Sequence, residues 1–237
     1  MNSFLYVVND NTSLLELSEF IFDSTLKTIA MIFISCFVAY LIGLPLGILL
    51  NITSKKGIRP CKWLNLILSI FVNILRSIPS LIIVVLSMPL VRAIFGMGTG
   101  EWYTIIIPLI FTSFGYIARI VEQSLSEVDK GKIEAIESLG ATKLQIIFKV
   151  LLPEARASLI GGLAVTLVSI IGYTSFAQNL GAGGLIAEIW EFYGRNTTTF
   201  YEKPIFWVML ILVIVLVQVI QEVGLLISKK LDKRRIS

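Results

Sequence analysis

Residues Glu134 to Pro153 read EAIESLGATKLQIIFKVLLP, and the rest of the chain is arranged around them. The pattern predicts two short helices with a glycine between them. Asp129 can cap the first, whose apolar residues Ile133, Ile136 and Leu139 recur at helical spacing. Gly140 stands where a left-handed C-terminal residue is wanted, since glycine has no Cβ to clash there. Thr142-Lys-Leu-Gln145 is a capping-box pattern that starts the second helix and sets Leu144, Phe148 and Leu151 on one face. Pro153 is expected to end that helix and, with Glu154, to open the next one. A segment this long, amphipathic and doubly capped is more than a polar connector between membrane helices.

The surroundings of that stretch are apolar. The chain has 237 residues, of which 56% are hydrophobic, and a mean hydropathy of +0.86. Soluble domains are roughly 45–50% apolar, so the composition indicates an all-α polytopic membrane protein. Its expected layout is an N-terminal segment over 1–25, a transmembrane domain over 26–228 that carries the loop 129–154, and a basic tail over 229–237. The net charge of +4 does not imply nucleic acid, because the charges lie in short loops between apolar spans. The sequence contains no histidine and no plausible metal-ligand cluster. Cys36 lies inside a span and Cys61 in a basic loop, which argues against a disulfide between them. Asp10, Glu16, Glu19 and Asp23 make the N-terminal segment acidic, unlike a signal peptide.

Five spans are expected. The first covers Leu26 to Leu50, with Ser35, Ala39, Gly43 and Gly47 forming a small-residue stripe for close helix approach. A loop rich in Lys55, Lys56, Arg59 and Lys62 follows. Trp63 to Phe95 is one broken or kinked span, interrupted at Arg76-Ser77-Ile78-Pro79 and again at Pro89. Gly96 to Glu101 is a turn, and Trp102 to Leu125 is the third span. The fourth, Ala155 to Tyr173, has a second small-residue face in Ser158, Gly162 and Thr166. A long loop over Thr174 to Lys203 precedes the fifth span, Pro204 to Ile227, and a tail containing Lys229, Lys230, Lys233, Arg234 and Arg235. With an odd number of spans, the basic loop, the Glu134 loop and the basic tail share one side. The positive-inside rule assigns that side to the cytoplasm and puts the N-terminus outside.

Candidate functional residues are few. No Walker A motif is present, which excludes P-loop nucleotide binding by this chain. Gly181-Ala-Gly-Gly184 reads as a turn rather than a phosphate cradle, for it has no following Lys-Ser/Thr. Arg76 is the strong charge well within an apolar run; either it serves function or it pairs with helix-end carbonyls before Pro79. Arg119 and Glu122 can pair along a helix. Tyr173, Thr174, Ser175, Phe176, Gln178 and Asn179 mix aromatic, hydroxyl and amide groups at the end of the fourth span, suited to a small polar solute with an apolar side chain or simply to a membrane interface.

Glu134-Ala135-Ile136, three residues, Gly140, nine residues, then Val150-Leu-Leu152-Pro153 resembles the EAA loop of bacterial ABC-importer permeases. Ile136 and Val150 depart from that pattern and keep its apolar face. Asn73-Ile-Leu-Arg76-Ser-Ile-Pro79, Ile117-Ala-Arg119-Ile-Val-Glu122, Leu139-Gly140-Ala141-Thr142 with Lys149 to Ala155, Gly172-Tyr173 and Gly181 to Leu185 together resemble the methionine-uptake permeases of this class. After Ser175 the chain reads Phe176-Ala-Gln178-Asn179-Leu180, where that family is usually smaller.

The resemblance implies a type I ABC importer permease of the bacterial inner membrane, with five-helix subunits forming a homodimer. It also implies two ATPase subunits, on which ATP and magnesium act, and an extracytoplasmic binding protein. The loop would dock on the ATPase. Cofactors on this chain and nucleic-acid partners are not implied. Another amino acid or a sulfonate is the nearest alternative substrate. An ion-coupled secondary transporter fits poorly, since no histidine relay, buried acid or inverted repeat is evident. A membrane enzyme would lack a nucleophile–base set. The orientation is tested at Cys61: in intact cells a membrane-impermeant thiol reagent is expected to leave it unlabelled until the membrane is opened, and prompt labelling from outside would invert the topology.

Overall fold

A computed structural model describes residues 14–195 and 204–232. Asp10, the 196–203 end of the expected long loop, and Lys233, Arg234 and Arg235 lie outside the described residues. The described chain is helical: α1 (Leu14–Thr53), α2 (Lys62–Ser77), α3 (Ser80–Phe95), α4 (Ile106–Ser126), α5 (Lys130–Ser138), α6 (Lys143–Ile146), α7 (Leu152–Tyr173), α8 (Leu185–Arg195) and α9 (Pro204–Leu231). A 3-10 turn, Trp102–Ile105, leads into α4; a π-helical turn, Ile147–Leu151, joins α6 to α7; a 3-10 segment, Thr174–Leu180, follows α7. Four stretches are long and apolar enough to cross a membrane: Leu15–Thr53, Trp102–Ser126, Lys143–Leu180 and Pro204–Leu231. Taken together, α2 and α3 supply a fifth, broken between Ser77 and Ser80. Ile78 at that break is extended (φ −76°, ψ 126°), as the residue before a proline prefers.

The chain divides into two compact units. The unit of residues 36–79, 110–168 and 219–237 is built around α4. The small-residue stripe of α1 faces it: a Cβ on Gly43 would lie 2.7 Å from Ile117 Cγ2, and one on Gly47 would lie 2.5 Å from the Ala118 carbonyl oxygen. On α7, a Cβ on Gly162 would lie 2.2 Å from Ile120 Cγ2, and the Ser158 and Ser124 hydroxyls are 2.9 Å apart. The close end of α9 rests on α7, where a Cβ on Gly224 would meet Ala164 Cβ at 2.3 Å and Ser228 donates to the Ala157 carbonyl at 2.7 Å. Around α4 the core continues through Ile117, Val121, Leu125, Ile146, Ile147 and Leu151. Lipid tails are as apolar as leucine, so dispersion at these close approaches, not expulsion of water, holds the helices together.

In the unit of residues 1–35, 80–109 and 169–218, Phe20 of α1 packs with Leu185 and Phe192 of α8 and with Ile205 and Met209 of α9. The Thr28 hydroxyl accepts the Leu185 N–H at 2.7 Å and donates to the Ser24 carbonyl at 2.9 Å, which pins the start of α8 to α1. Gly184 beside it has φ +94°. The Gly100 N–H donates to the Leu180 carbonyl at 2.7 Å and ties the turn after α3 to the end of the 3-10 segment.

Several expectations change. The first membrane helix is not confined to 26–50; it begins at Leu14 and runs through the 25/26 boundary to Thr53, because Leu17, Phe20 and Ile21 extend its apolar face against α8 and α9. Pro89 does not interrupt α3. The region after Tyr173 is not a loop but the 3-10 segment and α8, whose Leu185, Ile189 and Phe192 recur at helical spacing. The last helix continues past Ile227 to Leu231 and takes in Lys229 and Lys230.

The α1–α4 seam has a direct test. Gly47→Ala places a methyl against backbone and the Val121 side chain, neither of which can turn aside, and overpacking of this kind costs about 1–3 kcal/mol. Gly172→Ala meets nothing within 4 Å. In thermal unfolding of the purified, detergent-solubilised protein, Gly47→Ala is expected to lower the midpoint by several degrees and Gly172→Ala to leave it unchanged.

Candidate functional site: a doubly capped loop on the α4–α7 connection

The loop between α4 and α7 forms as its local chemistry dictates. The Asp129 carboxylate accepts the Gly131 N–H at 2.9 Å and caps α5. At the other end Gly140 has φ +81°, its N–H donates to the Glu137 carbonyl at 3.0 Å, and the Ala141 N–H donates to the Ile136 carbonyl at 3.3 Å. That pair of bonds is a Schellman closure, and it needs a glycine at its left-handed residue. Thr142 then caps α6 reciprocally: its hydroxyl accepts the Gln145 N–H at 3.3 Å while the Gln145 side chain accepts the Thr142 N–H at 2.8 Å. Lys143 pairs with Glu137 across the turn, and Lys132 pairs with Glu154 at 2.6 Å. Both pairs are half-exposed, so they orient the loop more than they stabilise it.

Pro153 does not end the second helix. The chain is helical from Lys143 through Tyr173, and the turn over Ile147–Leu151 widens to π spacing, with the Leu152 N–H donating to the Ile147 carbonyl. A widened turn just before proline relieves the clash of its ring with the carbonyl four residues back and absorbs its missing N–H. Leu144, Phe148 and Leu151 do not share a face: Leu151 is buried, while Leu144 and Phe148 are 67% and 63% exposed. Leu139 is 82% exposed, whereas Ile133 and Ile136 pack on the Ile146, Ile147 and Leu151 core. Glu134 and Ala135 are exposed beside them, Ala141 packs against the core, Thr142 is exposed, and Leu152 also packs inward. The loop therefore presents Leu139, Leu144 and Phe148 outward from a rigid frame, an apolar surface that periodicity alone does not separate from the inward face.

The other candidates fall elsewhere. Tyr173, Ser175, Phe176, Gln178 and Asn179 come together at the end of α7 and on the 3-10 segment. The Tyr173 and Phe176 rings stack with centroids 6.5 Å apart and planes 11° apart. The Ser175 hydroxyl donates to the Gly172 carbonyl at 2.8 Å, and Gln178 and Asn179 are exposed. Arg76 is exposed in the last turn of α2, and among the described residues it forms no ion pair and no bond to a helix-end carbonyl. Arg119 pairs with Glu122 at 2.5 Å and reaches across to the Asn73 side chain at 2.8 Å and the Ser69 carbonyl at 3.5 Å. Asn73 is thus the partner that pairwise spacing along one helix could not reveal. On α8, Trp190 and Tyr193 are exposed and stand edge to face at 5.8 Å.

The chain belongs to the family of binding-protein-dependent transport system inner membrane components, whose family model matches residues 43–233. It is a multi-pass bacterial inner-membrane permease subunit, and in this family ATP hydrolysis lies on a separate subunit. It is 37% identical over 92% of its length to 94% of the probable D-methionine transport system permease protein MetI of Vibrio cholerae. It is also 37% identical over 78% of its length to 82% of the methionine import system permease protein MetP of Bacillus subtilis. Its fold is similar to that of a chain in an inward-facing structure of the MetNI methionine ABC transporter, with a TM-score of 0.83 and 37% identity over 90% of this chain and 96% of that one.

Gly140 gives the loop its sharpest test. No atom lies within 4 Å of where its Cβ would be, so a substitution acts through the backbone alone. Gly140→Val forces a β-branched residue to positive φ, which costs about 1–2 kcal/mol and swings α6 away from α5. The variant is expected to insert and purify as the parent does, while ATP-driven uptake in cells falls to background. Uptake at the parental rate would make the loop a mere connector.

Proposed function

We propose that this chain is the transmembrane subunit of an ATP-driven methionine importer, acting as a dimer with a second copy of itself and two ATPase subunits. One observation carries the reading: 37% identity over 92% of the chain to a D-methionine permease, joined to a fold likeness at TM-score 0.83 to a methionine transporter. ATP and magnesium bind on the ATPase. Its closure moves the 134–153 loop, in which Leu139, Leu144 and Phe148 provide the apolar docking surface and Gly140 and Thr142 keep that surface rigid. Differential contacts in the two ATPase states then bias the permease between inward-open and outward-open arrangements.

The basic loop bearing Lys55 and Cys61, the 129–154 loop and the Lys229–Lys230 end face the cytoplasm, and the N-terminus lies outside. An extracytoplasmic binding protein delivers the solute. Tyr173, Ser175, Phe176, Gln178 and Asn179 suit a neutral solute with a flexible apolar tail, and Arg76 offers a partner for its carboxylate. The permease needs only to let the solute pass, so specificity rests largely with the binding protein.

Proteoliposomes holding the permease, its neighbouring ATPase and its binding protein, given labelled methionine, glutamine or taurine, test this reading. ATP-dependent accumulation of methionine is expected. If another of these solutes accumulates and methionine does not compete with it, the substrate assignment fails and the importer class survives.

A further inference from the structure

The turn after α1 builds a cavity that the transport reading leaves unused. This turn is folded back on the helix it leaves: Gly57 N–H donates to the Ser54 carbonyl at 3.0 Å, Arg59 N–H to Ile52 at 2.9 Å and Cys61 N–H to Thr53 at 3.0 Å. The Asn65 amide closes the end of α1, donating to the Leu50 carbonyl at 2.8 Å and the Thr53 hydroxyl at 3.1 Å. Gly57 lies so close to that helix that a Cβ would sit 2.3 Å from the Asn51 carbonyl oxygen. The turn is therefore held in place. It encloses, with the end of α4 and the start of α5, a cavity of about 320 Å³.

The lining of this cavity has two chemistries. Lys55, Lys56, Lys130 and Ser54 are among the residues that line it. Among the described residues none of these lysines is in an ion pair, while nearby Lys132 and Lys143 are each paired with a glutamate. Three like charges around one concavity repel each other and attract an anion. Ile58, Leu125, Val128, Ile133 and Leu151 give the rest of the lining a largely apolar wall, in which Asn51 and Ser126 are the polar residues. A small inorganic anion would leave that wall unused. A phosphodiester attached to an apolar body would use both, and the cavity lies just beyond the last turn of a membrane-crossing helix, at the level where such groups are found.

We propose that this cavity binds the phosphate group of an anionic phospholipid. The lysines hold the phosphate, and the glycerol and first acyl carbons lie on the apolar wall. Lys130 and Ile133 belong to α5, so the bound lipid braces the start of the 129–154 loop against the end of α1. That regulatory consequence rests on the coupling reading above, whereas the binding itself does not.

The full permease–ATPase complex, reconstituted in nanodiscs of phosphatidylcholine with a minor fraction of spin-labelled phosphatidylglycerol, tests this proposal. Retained phosphatidylglycerol is measured for the parent, for the triple variant Lys55→Gln, Lys56→Gln, Lys130→Gln, and for the control Lys229→Gln, Lys230→Gln, whose lysines lie outside the cavity. Retention is expected to fall about fivefold for each cavity lysine removed and to stay near parental in the control. Millimolar inorganic phosphate is expected not to displace the lipid. Lys130→Gln alone, which leaves the turn untouched, is read in the same way should the triple variant fail to assemble. Parental retention in the cavity variants, or an equal loss in the control, overturns the site in favour of general surface charge. Displacement by inorganic phosphate overturns the lipid as its occupant. ATP-driven uptake measured in parallel separates the two readings: loss of lipid with unchanged uptake removes only the bracing role.

Discussion

The structure depends on how closely α1 can approach α4. Between two helices in lipid there is no water to expel, and a polar side chain offers little when the alternative partner is another polar group in the membrane. What remains is the dispersion energy of many short contacts, and it grows only if the backbones come near each other. Ala39, Gly43 and Gly47 allow that by having almost no side chain where Phe114, Ile117, Ala118 and Val121 arrive. On another side of α4, Gly162 takes Ile120 in the same manner. α4 is thereby gripped by two helices that are distant in sequence, and its end at Ser126 is fixed in place.

The fixed end of α4 matters because the 129–154 loop starts there. Asn51 on α1 donates to Ser126 at 2.9 Å, so the close helix pair also locates the residue from which the loop departs. From that point rigidity is local. The Asp129 cap and the Schellman closure at Gly140 satisfy the orphan donors and carbonyls of α5, a short helix that would be marginal alone, and the Thr142–Gln145 box does the same for the start of α6. A loop so built can expose Leu139, Leu144 and Phe148 without collapsing them onto the core.

Local chemistry in the sequence determined much of this. Asp129, Gly140, Thr142 and Gln145 act where their side chains and backbone preferences predict, because a cap involves only residues a few positions apart. The glycine and alanine stripe named its own role, since a period of four on an apolar helix can serve only one face. The break at Ile78–Pro79 followed from the steric demand that proline makes on the residue before it.

Only the tertiary structure decided the rest. Pro153 looked like a stop, yet the π turn before it lets one helix run on through Tyr173, an accommodation that proline's own properties do not announce. The glycine-rich opening of 181–184 suggested a loop, and α8 formed beyond it because Phe20 and Met209, far away in sequence, offered its apolar face a place to pack. Leu144 and Phe148 were equivalent to Leu151 by spacing, and the π turn over Ile147–Leu151 shifts the register, so that Leu151 is buried while they are exposed. Caps, turns and stripes are properties of neighbours along the chain, so the sequence states them. Which apolar face is inside, and which lysines surround one cavity, depend on residues that meet only when the helices have packed.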